Sequence, residues 1–194
     1  LRYFSENRTW DASALEPWDI QLIPLAVAIN KRRKQFLDKF TPVFQQVHEE
    51  ITSGAKKVGL SYASEVLSDE EEFGQLLRQS QTYDRRLRRT TLGIHKDDVR
   101  FELGGFPLKR FGSQGQQKSF LIALRLAQRS HIAEATGVQP ILLLDDIFDK
   151  IDEKRVQALM QHVTAGAFGQ VFITDTDLGR IPELFLATGA DVRV

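Results

Sequence analysis

The sequence predicts an α/β fold with a helical region at its N-terminal end, on three observations. Apolar residues fall at helical spacing through residues 1–56, an aliphatic run Ile141-Leu142-Leu143-Leu144 ends in Asp145-Asp146, and a second short aliphatic run ends at Thr174. A helical pattern joins the two runs, and strand, helix, strand in so short a span implies a right-handed parallel crossover. At 194 residues with 42% apolar content, the chain suits one or two domains with a real core. We divide it into a helical arm region, 1–56, and an α/β part, 57–194, with no evident linker.

Lysine plus arginine and aspartate plus glutamate balance at 26 each, so any nucleic-acid site must be local. The absence of cysteine removes disulfides and thiolate metal sites. The longest apolar segment, residues 20–29, is interrupted by Gln21 and Pro24 and is too short to span a bilayer. No membrane association is expected, and the expected location is cytoplasmic. The chain opens at Leu1 without a leader pattern, so it reads as a piece of a longer protein.

In the arm, Phe36, Phe40, Val43, Phe44, Val47 and Ile51 form one stripe. Thr41-Pro42 interrupts it, allowing two helices or one kinked helix, and Gly54 ends it. Lys31-Arg32-Arg33-Lys34 invites a phosphate-binding reading, which a solvated helix face outweighs from the cluster alone. Residues 58–66 alternate as a strand. Ser68 with Glu71 three residues on reads as a capping box, making the acidic run a helix start. Arg85, Arg86, Arg88 and Arg89 precede Thr90-Thr91-Leu92-Gly93, read as a strand; phosphate contact and plain solvation both stand for the tetrad.

His95-Lys96-Asp97-Asp98 reads as a polar turn, because no second histidine lies at metal-site spacing. Residues 99–103 alternate, Gly104-Gly105 turns, and residues 106–111 return as the second arm of a hairpin. A wide apolar face, including Phe120, Leu124 and Ala127, then makes a helix to about Ala135, closed by Gly137. Pro140 starts a buried strand. Val156, Leu159, Met160 and Val163 keep helical spacing, and residues 170–174 read as another buried strand.

The chemistry concentrates around two features. Asp145, Asp146 and the Thr174 hydroxyl should share the carboxyl edge of the parallel pair, where open α/β sheets bind ligands. Gly112-Ser113-Gln114-Gly115-Gln116-Gln117-Lys118-Ser119 offers a hydroxyl and glycine amides at a helix start, suited to phosphate. It is not the phosphate-cradling loop G-x-x-x-x-G-K-[ST], because Gln116 and Gln117 separate the last glycine from the lysine.

Together these residues resemble the ABC-type (P-loop NTPase) ATPases: residues 113–117 are similar to the signature loop, 141–146 to the Walker B strand and 147–152 to the D-loop. Within that superfamily the resemblance is to the C-terminal portion of the RecF family, related to SMC and Rad50 heads. Trp18-Asp19-Ile20-Gln21-Leu22, Leu92-Gly93-Ile94-His95-Lys96-Asp97-Asp98 and Ala123-Leu124-Arg125-Leu126-Ala127-Gln128 support it. Ile94 stands where the family pattern has proline.

The resemblance implies the C-terminal lobe of an ABC-type head with an attached helical arm. It places Ser113, Gln114, Gly115 and Gln116 on ATP bound to the opposite subunit, with Ser113, Gly115 and Gln116 at the γ-phosphate. It further implies Asp145 on Mg²⁺, Asp146 orienting the attacking water and Asp152 at the dimer interface. Thr174 would supply a hydroxyl where a switch histidine would follow; here Asp175 follows instead. It implies ATP-dependent homodimerisation, DNA binding near single-strand/double-strand junctions, RecR as partner and RecA loading as outcome. The Walker A loop and Q-loop belong to an N-terminal lobe outside this sequence, so the chain alone is expected to be inactive as an ATPase. The competing expectations are a head lobe of another SMC-like or Rad50-like ATPase and a non-catalytic helical interaction protein.

Overall fold

The computed structural model describes residues 11–54, 56–145, 147–148, 151–165, 169–175 and 184–185. Asp146 lies outside them, as do residues 1–10 of the predicted arm. After a 3-10 turn at Ser13–Leu15, helix α1 runs Glu16–Thr52 without interruption. At 1.5 Å per residue it is about 55 Å long. Pro42 therefore sits inside one helix; losing one N–H bond does not outweigh the continuous buried stripe of Phe40, Phe44, Val47 and Ile51. Ser53 and Gly54 are both left-handed, and the Gly54 amide donates to Glu49 O, stopping the helix.

Strand β1 is Val58–Ala63. It ends before Val66, which turns into a core. Helix α2 is Glu70–Leu87, and its cap is Asp69, whose carboxylate accepts from the Glu72 amide at 2.9 Å. The capping position thus falls one residue beyond Ser68. Both residues have a glutamate three positions on, and the charged acceptor is favoured at the positive helix end. The predicted strand at residues 90–93 is absent; the arginine tetrad closes α2, with Arg88 left-handed, and residues 90–97 form a loop.

Strand β2 is Asp98–Leu103 and β3 only Phe106–Pro107, giving a sheet ordered β1-β2-β3. Leu103 pairs with Phe106 across Gly104 and Gly105, both at positive φ, as a two-residue hairpin demands. The return arm is shorter than predicted because Pro107 brings no N–H to extend the ladder, and Leu108–Phe111 winds into the short helix α3. Helix α4 then spans Gln114–Thr136 with left-handed Gly137 at its end, as expected. Strand β4, Leu142–Asp145, pairs in parallel with β5, Val171–Thr174, through α5, Glu153–Ala165.

The chain divides into two compact units, one from residues 1–38 and 61–100, the other from 39–60 and 101–194. The first is cored by Ala26, Val66 and Phe73, with Ile23, Leu77 and Ile94 against them. The second has the larger core, in which Phe44 and Phe120 meet edge to face at 4.7 Å and Val156, Leu159, Met160 and Val163 are all buried. β4 and β5 are not buried on both faces, as the aliphatic runs suggested. Leu142 and Leu144 face the core, while Leu143 and Phe172 are 71% and 56% exposed on the other side.

Candidate nucleotide site

The parallel register places Asp145 directly beside Thr174, both on the exposed face at the carboxyl edge of the pair. Thr174 Oγ1 donates a hydrogen bond to Asp145 Oδ1. The sequence brought these two together correctly. A carboxylate with one oxygen so fixed is a suitable oxygen ligand for a hard divalent cation. Among the described residues no cluster of three or more histidine, cysteine or acidic side chains exists, so such an ion would depend on phosphate and water for most of its ligands.

At the second feature, Ser113 is the N-cap of α4 in a full capping box. Its Oγ accepts from the Gln116 amide at 3.3 Å, and Gln116 Oε1 accepts from the Ser113 amide at 2.9 Å. The box uses acceptor atoms only. The Ser113 hydroxyl hydrogen, Gln116 Nε2 and the first-turn amides of Gln114 and Gly115 remain as donors at the positive end of a 23-residue helix. That donor set fits a phosphate. Gly112, just before it, is required by close approach: a Cβ there would meet Leu108 O at 2.8 Å.

Asp152 caps α5, its Oδ1 accepting from the Arg155 amide at 3.1 Å and its Oδ2 lying 3.2 Å from Arg155 Nε. Arg155 Nη1 also donates to Ser119 Oγ at 3.4 Å, and Ser119 donates to Gly115 O at 2.9 Å. Asp152 and the first turn of α4 are therefore linked. Sequence reasoning missed this, since Arg155 and Ser119 lie 36 positions apart; only the Asp152-to-Arg155 spacing was a local signal.

The basic clusters fare differently. Lys31, Arg32 and Lys34 are exposed, but Arg33 is engaged, donating to Ile94 O and Asp97 Oδ2, each at 3.0 Å. Asp97, whose side chain is 2% exposed, also accepts from Tyr62. The guanidinium's own interaction with the Tyr62 oxygen, together with Asp97, raises the Arg33 pKa against the opposing effect of burial. The predicted polar turn thus contains a buried structural acid. Arg85, Arg86, Arg88 and Arg89 are exposed at the α2 terminus, where positive charge complements the helix dipole.

The first unit also holds a cavity of about 140 Å³ among Leu15, Leu22, Leu77, Leu92 and Ile94. Its charged rim is Asp19 and Asp84, and burial raises the Asp19 pKa. Apolar walls with acids among them do not suit a phosphate.

Comparison with solved structures defines the class: this mixed helix-and-strand fold is shared with part of two solved structures. The structures are of the recombination mediator protein RecF in the RecFOR pathway, one with ATP and one with ATPrS. They match with TM-scores of 0.72 and 0.70 at 23% and 24% identity, over 88% and 87% of this chain and 47% of each RecF chain. At that identity the likeness is one of fold. Among curated relatives, the DNA replication and repair protein RecF of Flavobacterium johnsoniae is 45% identical over 188 residues, 97% of this chain and 52% of the relative. RecF of Parabacteroides distasonis is 41% identical over 186 residues, 96% of this chain and 50% of the relative. The chain spans about half the length of the curated relatives it matches. No protein-family model matches it. The chain is thus similar to about half of each of these RecF proteins.

Proposed function

We propose that this chain is the signature-bearing part of a RecF-like recombinational DNA-repair ATPase, with 1–56 as its helical arm region and 57–194 as the C-terminal lobe. In the full-length protein two copies close on ATP. The observation that carries the reading is the carboxylate–hydroxyl pair of Asp145 and Thr174 at the carboxyl edge of β4 and β5.

Bound ATP with Mg²⁺ supplies the phosphoanhydride bond and the charge that the two subunits share. Ser113, Gly115 and Gln116 donate hydrogen bonds to the γ-phosphate held by the opposite subunit, and Gln114 adds its first-turn amide. Asp145 would hold Mg²⁺, with Thr174 fixing its carboxylate. Asp146 orients the attacking water, and Asp152 lines the dimer interface. The dimer holds DNA near single-strand/double-strand junctions through the basic clusters, works with RecR and promotes RecA loading in the cytoplasm. The 194-residue chain alone neither binds ATP tightly nor hydrolyses it.

Sedimentation of the full-length protein with and without ATP tests this. Ser113→Arg is expected to block ATP-dependent dimerisation, and Asp146→Asn to preserve it while abolishing turnover. A Ser113→Arg protein that still dimerises refutes the assignment of Ser113 to the opposite subunit's nucleotide.

A further inference from the structure

We propose that Arg155 is a positioning residue that ties Asp152 to the first turn of α4, so that the two segments assigned to the dimer face move as one. The inference rests on the reading above, which puts Gly115 and Asp152 on that face.

The Asp152–Arg155 contact alone is an ordinary helix cap reinforced by an ion pair three residues apart. What exceeds a cap is the remaining half of the guanidinium. Nε is committed to Asp152 Oδ2 at 3.2 Å, and Nη1 reaches Ser119 Oγ at 3.4 Å on a different helix. Ser119 is 1% exposed and passes its own hydrogen to Gly115 O at 2.9 Å. The donors run in one direction, from Arg155 to Ser119 to Gly115.

Three successive contacts, Asp152 to Arg155, Arg155 to Ser119 and Ser119 to Gly115, thus join the α5 cap to the peptide unit that follows Gly115. A planar guanidinium is suited to this because its N–H groups are fixed relative to one another. A lysine has one flexible ammonium and cannot hold both partners in that geometry. After burial, the Arg155 charge also disfavours protonation of His48 on α1. A displacement of Asp152 is therefore transmitted to Gly115, and the reverse.

The test uses the full-length protein carrying Arg155→Lys, Ser119→Ala or both, followed by sedimentation against ATP concentration, thermal melting and amide exchange of segments 113–119 and 151–156. Each single variant is expected to raise the ATP concentration for half-association about fivefold while melting close to wild type. The double variant should be no worse than either single one, because both cut the same link. In wild type the two segments should gain protection at the same ATP concentration, and in the variants at different ones. Wild-type association by either single variant, additive effects in the double, or coincident protection in the variants overturns the proposal. If wild type itself fails to associate with ATP, the dimer reading has failed separately. The tie is then judged without nucleotide: Arg155→Lys must speed exchange in 113–119, and unchanged exchange there overturns it.

Discussion

Thr174 and Asp145 face each other across the parallel register of β5 and β4, with the threonine hydroxyl donating to Asp145 Oδ1. The hydroxyl fixes one carboxylate oxygen and leaves the other available to a cation. Thr174→Val keeps shape and strand propensity while removing that bond. It is expected to cost about 1 kcal/mol of stability or less, yet to raise the Mg²⁺ concentration needed for ATP-dependent association by about tenfold. Titration of Mg²⁺ at fixed ATP checks this, and an unchanged Mg²⁺ requirement counts against a role for Thr174 at the ion.

Gly112 has an ordinary extended backbone, so its substitution tests space alone. The missing Cβ would press on Leu108 O at 2.8 Å and Leu108 Cδ1 at 2.9 Å. Backbone cannot yield cheaply, so Gly112→Ala must displace the turn carrying Ser113. The expected result is a loss of about 1–3 kcal/mol in chemical denaturation together with weaker ATP-dependent association. A variant as stable as wild type would show that the turn relaxes without strain.

The Lys31-to-Lys34 cluster divides by function. Arg33→Ala leaves the buried Asp97 carboxylate facing Tyr62 without its cation, so a loss of about 3 kcal/mol is expected. Asp97→Asn costs less, because the half-exposed Arg33 can return to water. Replacing Lys31, Arg32 and Lys34 together by Gln should leave the melt nearly unchanged. If all three meet phosphate, the slope of log affinity for DNA against log salt falls by about 3 units. An unchanged slope removes this cluster from the DNA surface.

His48 is 4% exposed, packed against Phe44 and Phe120, and burial with the Arg155 charge pushes its pKa down to about 4. Below the unfolded value of about 6.5, the unfolded chain takes up a proton that the native imidazole refuses. Stability from this residue is therefore complete above pH 6.5 and lost as pH falls towards 4, by at most about 3 kcal/mol. Melting across that interval should be less pH-dependent in His48→Gln than in wild type. Parallel profiles would show that the imidazole is not the group responsible.

The periodic parts of the fold were legible from sequence. Of the predicted stripe, Phe40, Phe44, Val47 and Ile51 are buried while Phe36 and Val43 are exposed; the crossover around Val156 to Val163 and Gly137 at the end of α4 follow from local spacing and the conformational freedom of glycine. The Asp145–Thr174 pair was legible too, because strand polarity fixes which ends meet. Illegible were the contacts whose partners lie far apart in the chain. Arg33 looked like one of four surface cations until Asp97, 64 residues later, claimed it. Asp69 and Ser68 could not be separated by spacing, only by acceptor strength. The one-sided burial of β4 was hidden because Leu143, which faces outward, is as apolar as its neighbours.

The alternation in β4 makes the carboxylate hostage to the leucines. Leu142 and Leu144 point to the core, and the same two-residue period turns Asp145 outward. Inserting or deleting one residue between Leu142 and Asp145 would invert that arrangement, driving an acid inward and leucines into water. Length is therefore expected to be tightly constrained here: Leu143 cannot be removed without reversing the faces of its neighbours.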